Sequence, residues 1–226
     1  MKVLRHQLWH FLSLLILLMG IILLVNQDPS LLSGELGGVS TATWMILAIL
    51  SPIVHQLYVL VCWRLELHYK RISKAFGANG FKLYKIGFAI LILSRLVTII
   101  VLAISNRNTL SIDPVLAYVI AGILLIPSVY LFYSVQKYFG MDRAFGIDHF
   151  HPEELKNTPF VRQGMFKYSS NAMYVFGFMI LWIPGLLLMS KAAILVAVFN
   201  HAYIWVHYYF TELPDMQIIY KESYNT

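Results

Sequence analysis

Six apolar runs, each near the ~20 residues that a helix needs to cross a bilayer, constrain this chain more than any single motif does. They cover about Leu8 to Val25, Thr41 to Trp63, Ile86 to Ile104, Pro114 to Val135, Met173 to Met189 and Ala192 to Phe210. With 59% hydrophobic and only 12% charged residues, the chain lies far from the mix of a soluble domain. The expected fold class is all-α: a polytopic membrane helix bundle of about six spans. Residues 1–226 form one integral-membrane domain, with four spans in 1–135 and the longest polar stretch opening 136–226.

The first run is longer than the apolar core of a signal peptide and no Ala-x-Ala pattern follows it, so it reads as a retained span. A formal net charge of +6 would suit a nucleic-acid binder, but the bases fall between apolar runs, where cytosol and anionic headgroups are the expected partners. The first linker holds Asp28 and Glu35 without Lys or Arg, whereas the second holds Arg64, Lys70, Arg71, Lys74 and Lys82. The positive-inside rule then places the second linker, both termini and the segment from Ser134 to Ser170 in the cytoplasm. A bacterial inner membrane and the endoplasmic reticulum are the two settings expected.

Polar groups within the spans are costly unless they face the bundle interior or a wet cavity. His55, Gln56 and Arg95 are such groups; for Arg95 a structural role or snorkelling is the favoured reading. The last two runs are short and joined only by Ser190-Lys191, after a Pro184-Gly185 break, which predicts a tight antiparallel pair. The single cysteine, Cys62, lies in an apolar run and forms no intrachain disulfide. Between the fourth and fifth runs, Gly140 to His151 mixes charge, aromatics and glycines in the manner of a folded loop. Pro152-Glu153-Glu154-Leu155 suits a helical turn with acids at its N-terminus. His149 and His151 make a His-x-His pair without an obvious third ligand, so no metal is expected.

Gln163-Gly164-Met165-Phe166-Lys167-Tyr168, followed by Asn171-Ala172-Met173-Tyr174 and Gly177, resembles the signature of integral-membrane S-adenosylmethionine-dependent methyltransferases. In the isoprenylcysteine carboxyl methyltransferases that signature reads Arg-His-Pro-x-Tyr-x-Gly; an Asn-Pro-x-Tyr form occurs in the phosphatidylethanolamine N-methyltransferases, to which Asn171 is more similar. Thr211-Glu212-Leu213-Pro214 with Ile219-Tyr220 and Tyr224 is similar to the family's Glu-Glu tail and Tyr-rich end, and Tyr138-Phe139-Gly140 to its approach to the cytosolic loop. Ser170, Ala172 and Thr211 depart from the pattern. The resemblance implies a cytosolic loop, a last hairpin and a C-terminal tail that close over S-adenosyl-L-methionine, with a lateral opening for a membrane lipid.

Methyl transfer to such an acceptor demands positioning and exclusion of water. Aromatic faces stabilise a sulfonium, for which Tyr168, Tyr174, Tyr203 and Trp205 are candidates. Asn171, His201 and Glu212 offer hydrogen-bonding groups for the cofactor, and Gly177 permits close approach of cofactor or helix. An ethanolamine nitrogen must lose a proton before it attacks, and Glu212, Asp148 and His149 are candidate catalytic bases, with His151 beside them as a substrate contact. A prenylcysteine carboxylate needs no base and gives more weight to a cationic anchor such as Arg162. The expected function is methyl transfer to phosphatidylethanolamine or its partly methylated forms; isoprenylcysteine-type carboxyl methylation is the alternative, and a non-catalytic scaffold or small transporter the alternative of another class. Against transport, the chain lacks paired halves with broken helices in corresponding positions.

Overall fold

The computed structural model describes residues 2–220; Tyr224 of the aromatic tail lies outside them. The elements are helices α1 (Gln7–Gln27), α2 (Thr41–Tyr69), α3 (Arg71–Phe76), α4 (Gly80–Ser105), α5 (Pro114–Ser134), α6 (Met141–Ala144), α7 (Pro152–Leu155), α8 (Ala172–Phe176), α9 (Ile183–Leu187), α10 (Lys191–His207) and α11 (Leu213–Ile219). One small hairpin pairs β1 (Glu35–Leu36) with β2 (Val39–Ser40), antiparallel and in the register Glu35 to Ser40. Its two-residue turn is Gly37-Gly38, both at positive φ, as a tight hairpin of this hand requires. The all-α polytopic bundle expected from the sequence is what the chain forms.

Helix starts follow local capping chemistry. Ser40, Asp113 and Ser190 each accept a backbone N–H three residues on, at the starts of α2, α5 and α10, and Pro114 adds a pre-set φ at the first position of α5. Lys70, at φ 55, turns the chain from α2 into α3. The buried Glu66 carboxylate then accepts from Ile72 N and Ser73 N at 2.9 and 3.0 Å, which satisfies the exposed donors of α3. Pro152-Glu153-Glu154-Leu155 is a helical turn, α7.

Among the described residues, five segments are long and apolar enough to span a bilayer, and a shorter apolar one covers Ala172–Leu187. This shorter segment is the fifth run, and its geometry explains how it crosses. Between α8 and α9 the six residues Gly177–Trp182 form a 3-10 helix. At ~2.0 Å per residue there and ~1.5 Å in the α-helical turns, the segment reaches ~27 Å, close to the ~30 Å hydrocarbon core. Pro184 sits in the first turn of α9 and starts that helix, so the expected break lies before the proline. Gly185 packs against α10, where an added Cβ would come 2.9 Å from Ile194 N; the tight antiparallel pair forms as expected.

The six passes put the same ends together. On one face, which carries Val3 and Tyr220, Lys70 donates to Phe150 O at 2.8 Å and Lys85 pairs with Asp142 at 2.7 Å. On the other, Lys191 pairs with Asp28 at 2.7 Å and Thr41 donates to Ser105 O at 3.2 Å. Between the faces, Ala192, Ala193, Val196 and Ala197 of α10 pack on Met45 and Ala48 of α2 and Ile99, Leu102 and Ala103 of α4. Small residues let the backbones approach where lipid offers no hydrophobic drive to association.

Candidate functional site

The C-terminal Glu212 is placed by a proline and a buried arginine. Pro214 has no N–H, so the carbonyl of Phe210 four residues earlier has no helical donor. The chain widens into a π-helical turn over Tyr208–Glu212, a form common where helices serve function. Gln7 Nε2 and Arg64 Nη2 donate to the Phe210 carbonyl at 3.0 and 3.2 Å, and Arg64 Nη2 also reaches Thr211 O at 3.3 Å. Arg64 is 1% exposed; its Nε pairs with Asp215 at 3.1 Å and its Nη1 donates to Arg5 O at 2.8 Å. One guanidinium thus ties α2, the N-terminus and the turn that holds Glu212, with nearly every donor used.

Glu212 accepts a hydrogen bond from the Tyr174 hydroxyl. Asn171 lies one turn before, its carbonyl accepting from Tyr174 N at 3.0 Å. The signature before the fifth pass and the acid after the sixth therefore meet on one face. Around the Tyr174 ring stand Tyr208, Trp205 and Phe178, with centroids at 5.7, 5.9 and 6.4 Å.

Tyr174 and Glu212 open onto a cavity of about 330 Å³ bounded by α2, α4, α5, the fifth pass and α10. Its walls are largely apolar and aromatic, Phe88, Phe145 and Phe178 among them, and its rim includes Leu93, Phe132 and Met141, which are exposed on the bundle's outer surface. The remaining polar lining is His55, Gln56, Arg95 and His207. Both ring nitrogens of His55 and His207, Gln56 Nε2, and Arg95 Nε and Nη1 have no hydrogen-bond partner. Buried polar groups are normally satisfied, so such a cluster is free to meet a ligand.

The sequence-derived candidates divide by where they stand. Tyr174, Gly177 and Glu212 line the cavity. At Gly177 an added Cβ would lie 2.9 Å from Leu131 Cδ2, so close packing on α5 is reason enough for the glycine. Asn171 is half-buried beside the cavity without lining it. Tyr168 is 72% exposed. His201 accepts from Trp182 Nε1 at 3.2 Å and stands behind Phe178, ring centroids 5.9 Å apart, without lining the cavity itself. Trp205 packs behind Tyr174, and Tyr203 is fully buried, bonded to His10 at 3.0 Å. Of the four aromatic candidates for a sulfonium, only Tyr174 faces the space.

Asp148 and His149 belong to a neighbouring network. His149 stacks on Trp63 with centroids 4.0 Å apart, its Nε2 3.6 Å from Asp215; Trp63 lines the cavity and His149 does not. Gly146, at φ 83, lets the loop approach, since a Cβ there would meet the Trp63 ring at 2.5 Å. Asp148 accepts from the Tyr220 hydroxyl at 2.7 Å, and Arg143 stands 3.9 Å from its other oxygen. Burial first, and then Asp148, push the Tyr220 phenol up to about 12, so Tyr220 remains a donor. Arg162 is exposed. His151 is exposed and faces Glu154 at 3.2 Å. Neither lines the cavity. No group of three or more His, Cys, Asp and Glu side chains suited to a metal ion occurs among the described residues.

Four cavity residues, His55, Gln56, Arg95 and His207, were absent from the candidate sites. Three of them carry a visible signal, a polar side chain deep within an apolar run; His207 lies near the end of the sixth run, where packing or an interfacial place is the simpler reading.

Residues 116–223 match the family model for phospholipid methyltransferases, a stretch from the start of α5 into the tail. No curated protein and no solved structure matches the chain. The family match agrees with the resemblance carried by the Asn171 and Glu212 motifs to the integral-membrane methyltransferase superfamily. It supports membrane lipid methyl transfer in general and specifies no acceptor. Together with the apolar helices it marks an integral membrane protein.

Proposed function

We propose that the protein transfers a methyl group from S-adenosyl-L-methionine to a lipid held in the membrane, with the amine of phosphatidylethanolamine or its partly methylated forms as the acceptor. The observation that carries this reading is the Tyr174–Glu212 pair on the wall of a cavity whose rim is lipid-facing. The cavity suits the cofactor in volume, since small-molecule sites run ~300–1,000 Å³, and in chemistry, with one carboxylate, unpartnered donors and aromatic walls. Tyr174 and Glu212 would hold it, with Asn171, Gly177, His201 and Tyr168 as outer contacts. When bound, the cofactor supplies a methyl group on an electron-poor sulfonium.

The chain's own residues account for the rest. Phe178 and Tyr174 present aromatic faces that favour a cation in a desolvated site. Phe88, Phe145 and Trp63 exclude water from the space where the reacting atoms meet. Glu212 is the lining carboxylate among the described residues, and it would accept the proton that an ethanolammonium must release. Asp148 and His149, enclosed in the adjoining network, would act on Glu212 by fixing the tail. Arg162 and His151, on the loop surface, would contact the acceptor's phosphate.

Charge placement supports the orientation. The site face carries Lys70, Arg71, Lys74, Lys82 and Lys85, whereas the opposite face carries Arg107 and Lys191, so the site and both termini lie in the cytoplasm. Those bases would also draw anionic headgroups to the rim. The alternative, methylation of a prenylated thioether carboxylate, needs no base and is favoured by one observation, the unpaired Arg95 in the same cavity.

Lipid extraction after expression in a host that makes phosphatidylethanolamine but no methylated forms tests the reading. New mono-, di- or trimethylated headgroups are expected with the wild type and not with Glu212→Ala. An unchanged lipid profile, with no binding of S-adenosylhomocysteine at millimolar concentration, would sink it.

A further inference from the structure

Arg95 stands where a charge is most costly. It lies ten residues beyond Lys85 and ten before Ser105 on α4, hence ~15 Å along the helix from each, and it is 1% exposed. Its Nη2 donates to Pro52 O at a long 3.4 Å and its guanidinium rests 5.5 Å from the Phe178 ring centroid. Nε and Nη1 have no partner, and among the described residues no carboxylate lies within ion-pair reach of it. Beside it in the cavity, His55 keeps free ring nitrogens and Gln56 a free amide nitrogen.

Neither bland account of such an arginine fits. A snorkelling residue would reach an interface, but this one is enclosed. A residue that glues helices would be paired with an acid, because an uncompensated buried charge destabilises by several kcal/mol. A guanidinium offers two parallel donors that match the planar oxygens of a carboxylate. We infer that Arg95, with His55 and Gln56, forms a carboxylate-binding subsite deep in the cavity. All three residues precede position 116, so the subsite comes from the part of the chain outside the matched family segment.

The identity of the carboxylate rests on the methyltransferase reading: the cofactor carries one, and the alternative acceptor, though not phosphatidylethanolamine, carries another. One belongs to the amino-acid portion of the cofactor; the other would belong to an acidic lipid acceptor such as a prenylated cysteine. Calorimetry on detergent-purified wild type, Arg95→Met, Arg95→Lys and His55→Leu separates them. The probes are S-adenosylhomocysteine against methylthioadenosine, which lacks the carboxylate, and N-acetyl-S-farnesylcysteine against its methyl ester.

Arg95→Met is expected to lose at least about tenfold in affinity for one carboxylate ligand while its carboxylate-free counterpart binds as before. Loss in the first pair assigns the cofactor, loss in the second the acceptor. Arg95→Lys should recover part of the loss, and His55→Leu, with Arg95 in place, should show a smaller loss in the same pair. Ligand-free Arg95→Met should melt at or above the wild type, because an unpaired buried charge is gone. Wild-type affinity for both carboxylate ligands in Arg95→Met overturns the subsite, as does a lowered melting point with each pair affected equally. If wild type binds neither nucleoside, the methyltransferase reading falls as well, which tells the two failures apart.

Discussion

The two ends of the bundle spend their polar groups differently. At the end remote from the site, Asn106 donates to Ser30 O and Ser33 O at 2.9 Å each, and its carbonyl accepts from Thr109, Ala192 N and Ser190 at 2.8, 3.0 and 3.1 Å. One buried amide there joins the loops after α1, α4 and α9 with its hydrogen-bonding capacity filled. In the other half, His55, Gln56, Arg95 and His207 keep buried atoms without partners around a cavity. Satisfied buried polar networks rigidify a fold, and unsatisfied ones mark a place where stability has been given up. The first end is scaffold and the second is where a ligand is to be sought.

Substitutions at the two ends should therefore fail in different ways. The largest effect is expected for Glu212→Ala, which removes the lining carboxylate: methyl transfer should fall by about a hundredfold or more while the folded helical signal remains. Asn106→Ala should do the reverse. With several buried partners orphaned, unfolding free energy should drop by about 2–4 kcal/mol, read by thermal or denaturant unfolding in detergent, with ligand affinity of the folded fraction unchanged. A smaller change is expected for Tyr174→Phe, which takes one donor from Glu212 and should weaken S-adenosylhomocysteine binding by about tenfold or less.

The smallest effect concerns a pair at the remote end. Lys191, then Ser30, hold the Asp28 carboxyl down at about 2, below its ordinary 3.8. A depressed carboxyl contributes stability above its unfolded value and loses it as pH falls through the folded one. The melting-point difference between wild type and Asp28→Asn should thus be present at pH 5 and vanish between about pH 4 and pH 2. The pair is partly exposed, so the difference is a small one. A difference that persisted at pH 2 would place the effect elsewhere than in the ion pair.

Much of this plan is legible in the chain because its causes are local. Apolar length set the spans, capping residues set the starts of α2, α5 and α10, and the number of passes set which ends meet. Tyr174 and Glu212 were reachable through motifs. The 3-10 stretch at Gly177–Trp182 was not, since hydropathy records how apolar a run is and not its rise per residue. Nor was the enclosure of Asp148 and His149: it depends on Trp63, Arg143 and Tyr220, brought from distant parts of the chain, and on a glycine that lets a loop lie against an indole. Arg95 was visible as an anomaly, but only its surroundings show that no acid answers it.

A calorimetric titration of S-adenosylhomocysteine into wild type, Glu212→Ala and Asn106→Ala tests the central claim most directly. The account predicts binding by the wild type and by folded Asn106→Ala, and a binding isotherm lost or weakened at least tenfold in Glu212→Ala. Equal affinity in wild type and Glu212→Ala, or loss confined to Asn106→Ala, would contradict it.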